Sequence, residues 1–210
     1  MSKPTKALLV ASTILLAFPI TGCAMGGQRS SGFAGKVDKG NIGVAIRAQA
    51  ALEQGDTATA IRFAERAVEN SPGDAGFRTL LGNAYLAAGR FRSAEAAYAD
   101  ALALIPGQPG VPLKLALTQA ALGKGEAALA TLDTYRDQID AADAGLAMAL
   151  AGRPGMAVEL LDQAARSAGA DARVRQNLAL AHALAGDWVQ ARSVAAQDLP
   201  GDQLEARMAE

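Results

Sequence analysis

The sequence predicts an all-α, right-handed solenoid of about five helical hairpins over residues 41–200. Three observations predict it. Gly55, Gly89 and Gly123 stand 34 residues apart, and so do Gly152 and Gly186. An alanine follows each glycine at one offset: Ala60, Ala94, Ala128, Ala157 and Ala191. Half of the residues are hydrophobic but only 4% are aromatic, so alanine carries much of the apolar surface, which favours helix and close helix approach. Self-similarity at a fixed period marks stacked supersecondary units that bury their faces against neighbours.

The stretch Ala75–Gln108 shows the unit most fully. Gly82, Ala94 and Ala101 let two antiparallel helices approach closely, while Leu81, Tyr85 and Tyr98 fill the space between and beside them. Gly89 ends the first helix, because a left-handed C′ residue costs least as glycine. Pro106 stops the second. Leu81-Gly82, Tyr85, Ala94, Tyr98, Ala101 and Pro106 in this register resemble the tetratricopeptide repeat.

In chain order, residues 1–22 read as a secretory leader. Lys3 and Lys6 form its positive region, and Ala7–Ile20 its apolar region. Those 14 residues reach about 21 Å as a helix, short of the roughly 30 Å of a bilayer core. Ile20-Thr21-Gly22-Cys23 resembles the bacterial lipobox. The resemblance implies diacylglycerol transfer to the Cys23 sulfur, cleavage before it and acylation of the new amine. Cys23 is the single cysteine, so no internal disulfide can form. Acylation implies stable anchoring, and Ala24 after Cys23 implies outer-membrane sorting, with the chain facing the periplasm. Residues 23–40, rich in Gly and Ser, read as a flexible tether with Phe33 its only large apolar residue.

The first hairpin is degenerate. Arg47-Ala48 replace the Leu-Gly pair of its first helix, Ile42–Gln54, and Asp56 with Thr57 caps the second. The third hairpin carries Leu115-Ala116, Ala128 and Leu132 but lacks the terminal proline. The step from Gly123 to Gly152 is only 29 residues, so the second helix of this hairpin or its turn is shortened, either as a tolerated irregularity or as a hinge. In the fourth hairpin Pro154 suits a first helical turn. The fifth has Leu178-Ala179, Gly186-Asp187-Trp188 and Ala191, and residues 201–210 read as a capping tail with Leu204 and Met208.

The net charge is −1, and −3 once Lys3 and Lys6 leave with the leader, which argues against a nucleic-acid surface. His182, the only histidine, sits where Tyr85 sits in the second hairpin and reads as a packing residue. One histidine and one lipidated cysteine leave no His/Cys metal site. No nucleophile motif or phosphate loop is present. Nothing in the residues points to catalysis, a cofactor or a small-molecule substrate, and function falls to protein binding.

First helices of such stacks line a groove suited to a peptide. The register assigns to it Asn83 and Leu86, Leu113 and Leu117, Leu146, and Arg173, Gln176, Asn177 and Leu180. The asparagines and Gln176 suit a peptide backbone, and Arg173 a carboxylate.

Residues 173–181, RVRQNLALA, with Leu184-Ala185-Gly186-Asp187-Trp188 and Ala195–Pro200, resemble the TadD family, repeat lipoproteins of Flp (tight adherence) pilus assembly. That resemblance implies a pilotin-like role toward the pilus secretin or other Flp/Tad components. A general periplasmic adaptor lipoprotein for envelope or type IV pilus assembly has the same layout and stays open, as does an enzyme subunit.

Overall fold

The computed structural model describes residues 39–167, 171–200 and 203–204. The leader, Cys23, Phe33 and Met208 lie outside them. Ten α-helices follow one another: α1 (Lys39–Glu53), α2 (Thr57–Asn70), α3 (Ala75–Ala87), α4 (Phe91–Leu104), α5 (Val111–Ala121), α6 (Gly125–Thr134), α7 (Ala141–Leu150), α8 (Pro154–Ala165), α9 (Ala172–Leu184) and α10 (Trp188–Ala195). No strand occurs among the described residues. They pair as five hairpins, α1–α2 through α9–α10, so the all-α solenoid expected from the period is the fold.

The phased glycines make the turns. Gly89 has φ +70°, and Gly55, Gly123, Gly152 and Gly186 share that left-handed conformation. At the end of α3 the Gly89 N–H donates to the Leu86 carbonyl at 3.0 Å, and the Arg90 N–H to that of Tyr85 at 2.8 Å. This Schellman pair satisfies carbonyls that the helix end leaves unbonded. The same two bonds recur at the ends of α1, α5, α7 and α9. At the other ends, Asp56, Asp74, Asp140, Asp171 and Asp187 each accept a backbone N–H three residues on.

The core is a row of local clusters. Ala48, Ala51, Ala60, Ala64 and Ala84 join α1, α2 and α3. Ala94, Tyr98, Ala101, Leu102, Val111 and Leu115 join α4 to α5, with Tyr85 and Leu86 of α3 against them. Ala116, Ala128, Leu132, Ala147 and Ala151 connect the third hairpin to the fourth, and Ala149, Ala157, Leu161, Leu178 and Ala181 the fourth to the fifth. Each hairpin thus completes its core with the next, as a one-dimensional stack requires.

Two boundaries differ from the sequence reading. α1 begins at Lys39, inside the stretch assigned to the tether, and Asn41 is buried there, donating to Ser71 Oγ at 2.7 Å and accepting from Asn70. The short step falls on two helices, not one. α6 and α7 have 10 residues each, with a 3-10 turn, Arg136–Gln138, between them. α6 in turn meets α7 less extensively than α2 meets α3, α4 meets α5 or α8 meets α9. At the C-terminal end Leu204 is buried.

Candidate functional site

First helices of neighbouring hairpins touch directly, α1 with α3, α5 with α7 and α7 with α9, whereas no second helices make comparable contact. Stacking is therefore tight on the first-helix side and open on the other, so the first helices form one layer. All nine residues assigned to the groove lie on it.

Their environments divide them. Leu86 packs on the α4–α5 cluster, and Leu113 and Leu117 on the next one along, each half-covered. Leu146 is also half-covered, Gln176 is exposed, and Leu180 is 40% exposed. The polar members already have partners within the chain. Asn83 Oδ1 accepts from Tyr98 Oη at 3.0 Å and from Lys114 Nζ at 2.9 Å. Asn177 Nδ2 donates to the Ala142 carbonyl at 2.9 Å. The Arg173 guanidinium donates to Asp143 at 2.8 Å and to Asp140 at 2.9 Å. The carboxylates that Arg173 meets in this structure thus belong to the neighbouring hairpin.

These bonds set the local electrostatics. Burial alone would raise the Asp140 carboxyl, but the Asp143 backbone N–H and Arg173 together hold it below the usual range. Burial pushes the Tyr98 hydroxyl up to about 12. It does the same to Tyr85, whose Oη also donates to Glu65 at 2.7 Å while the Arg90 guanidinium stacks 4.5 Å from its ring centroid. Desolvation lowers the Lys114 ammonium from its ordinary value. His182 Nδ1 stands 3.8 Å from Asp187, with its side chain mostly covered.

Lys114 is the residue that sequence reasoning passed over. It is the only cation of α5, in the run VPLKLALTQAA. A lone charge in an apolar helix, 34 residues after Leu80, was the signal. Between α3 and α5 the first-helix layer is less tightly packed than elsewhere, and the Lys114 side chain bridges the two helices.

Sequence profiles described as tetratricopeptide repeat match residues 51–103 and 86–151, and another of the same description matches 172–197; together they span more than half of the chain. No curated protein matches the sequence. Among solved structures, the fold is similar to a thermophilic tetratricopeptide repeat protein of Thermus thermophilus, at 22% identity and TM-score 0.59 over 80% of this chain and 97% of that one. It is similar to YrrB, described as having an unusual peptide-binding site, at 16% identity and TM-score 0.60 over 80% and 90%. It is also similar to PilW, described as a widely conserved type IV pilus biogenesis factor, at 16% identity and TM-score 0.63 over 82% and 86%. Phased glycine turns, Ala-rich hairpin cores, matching profiles and matching folds agree: the chain belongs to the tetratricopeptide-repeat family.

Proposed function

We propose that this chain is a lipid-anchored, periplasm-facing scaffold that binds a segment of a protein partner along its first-helix layer and serves pilus assembly, acting as a pilotin-like factor for the Flp/Tad secretin. The observation that carries the binding reading is the run of half-covered leucines along successive first helices: Leu86, Leu113, Leu117, Leu146 and Leu180. They offer apolar anchors at one-hairpin spacing, and Asn83 and Gln176 beside them fix the register of a bound segment. The fold offers binding and no arrangement for catalysis.

The likeness to PilW supports a pilus role, and the lipobox-like run ending in Cys23 supports an outer-membrane anchor. The likeness to YrrB supports peptide capture, which equally suits a general periplasmic adaptor. Replacing Leu117 by Trp tests the groove, with loss of secretin multimers in the mutant strain as the expected result. Normal multimers and normal surface pili in a strain lacking the gene altogether refute the pilus role. Cys23→Ala is expected to move the chain from the outer-membrane fraction to the soluble one, and unchanged fractionation refutes the anchor.

A further inference from the structure

We propose that Lys114 and Asn83 form an anion subsite on the first-helix layer, taking a carboxylate carried by the partner's segment. This rests on the groove reading above and names the chemistry of one anchor within it.

The argument starts from charge. Lys114 is half-buried, its only hydrogen-bond partner among the described residues is Asn83 Oδ1, and no ion pair among them includes it. Other cations of the hairpins have carboxylates: Arg78 pairs with Asp100, Lys124 with Glu95, Arg153 with Glu126, Arg175 with Asp198 and Arg173 with Asp140. A neutral amide oxygen occupies one of the three N–H bonds of the ammonium. It supplies no counter-charge, and holding a partly desolvated ammonium without one is unfavourable. An incoming carboxylate supplies what is missing, through a charge-assisted hydrogen bond.

Asn83 adds a second donor. An ammonium only donates, so the amide atom facing Lys114 must be the oxygen. The Tyr98 hydroxyl donates to that same oxygen. Both contacts fix the amide, and its Nδ2 has no hydrogen-bond partner among the described residues. Three residues beyond each polar group, on the same helix face, stand Leu117 and Leu86. Half-covered leucines beside a cation exclude water and strengthen its pairing. The arrangement reads as an apolar anchor next to a fixed charge, once on each side of the α3–α5 seam.

A randomised peptide display selection on the full chain in detergent tests this. One library presents internal peptides and a second presents free C-termini, which separates a side-chain carboxylate from a terminal one. The expected result is enrichment of Asp or Glu at one position, or of the free terminus. The best peptide should then bind about tenfold more tightly than its Gln or amidated twin, the size of one hydrogen bond to a charged group. Lys114→Gln should erase that ratio while keeping a side-chain donor toward Asn83, and Lys114→Arg should keep it, with thermal melts confirming that both fold. Peptides that bind, are lost on Leu117→Trp and show no carboxylate preference overturn the subsite and leave the groove standing. A preference that persists in Lys114→Gln overturns it as well. Retention of no peptide by the wild-type chain overturns the groove and the subsite together.

Discussion

Tyr98 lies against Gly82 so closely that a Cβ built on Gly82 would sit 2.5 Å from its Cε1. Gly145 and Leu161 repeat the relationship two hairpins later. In each pair a first helix gives up its side chain so that a large second-helix residue, fully buried, can lie against bare backbone.

Alanine at position 82 therefore brings two opposed effects. Helix propensity favours it by about 1 kcal/mol. Overpacking in a rigid core costs about 1–3 kcal/mol, and Tyr98 has no route to solvent. Sterics should win, and Gly82→Ala is expected to lower the Tm by several degrees, as should Gly145→Ala. A rise in Tm for either would show that the helix pair opens without penalty.

Tyr98 gives a second prediction, with two variants of different size. Tyr98→Phe removes the bond to Asn83 and should cost about 0.5–1.5 kcal/mol, whereas Tyr98→Ala empties the core and should cost about 3–5 kcal/mol. The hydroxyl's folded pKa of about 12 lies above its ordinary 10.0. The stability linked to it is thus complete below pH 10, and is lost as the pH rises through the folded value. Alkaline melts should show this loss between about pH 10 and 12, and Tyr98→Phe should reduce it, leaving the part due to Tyr85, which is also raised to about 12. Parallel alkaline curves for the wild type and Tyr98→Phe would contradict the assignment.

The Arg175–Asp198 pair sets the acid side. The Arg175 guanidinium donates to both Asp198 oxygens, with Nε at 2.9 Å and 3.1 Å from them and Nη2 at 2.6 Å from one, and holds the carboxyl below its usual range. A depressed folded pKa contributes stability above the unfolded value, lost as the pH falls through the folded one. Asp198→Asn should therefore lower the Tm at pH 7 and leave it close to wild type near pH 2. An equal loss at both pH values would mean that the pair acts through packing, not charge.

The architecture was legible because the turns are written in glycine. A left-handed residue every 34 positions leaves few other sequences open, and five recurring Schellman ends follow from it. Pro154 opens α8 at the position its missing N–H allows. Where α1 starts was less legible, since the Asn41 bonds that tie its first turn to Asn70 and Ser71 join residues about 30 apart in sequence. The candidate site suffered in the same way. Periodicity says which face a residue occupies, and Asn83, Arg173 and Asn177 do lie on the first helices. It does not say that Tyr98 and Lys114 hold the Asn83 oxygen, that Asp140 and Asp143 hold Arg173, or that a carbonyl holds Asn177. Those partners come from adjacent helices and hairpins, and pairing across a seam depends on side-chain length and tilt that a one-letter period does not encode.

The narrow seam between α6 and α7 has a mechanical consequence. Pulled from its two ends, an array in which each unit grips only its neighbours yields where the grip is least. Under load the first three hairpins and the last two should come apart as separate blocks, in two force peaks and not one.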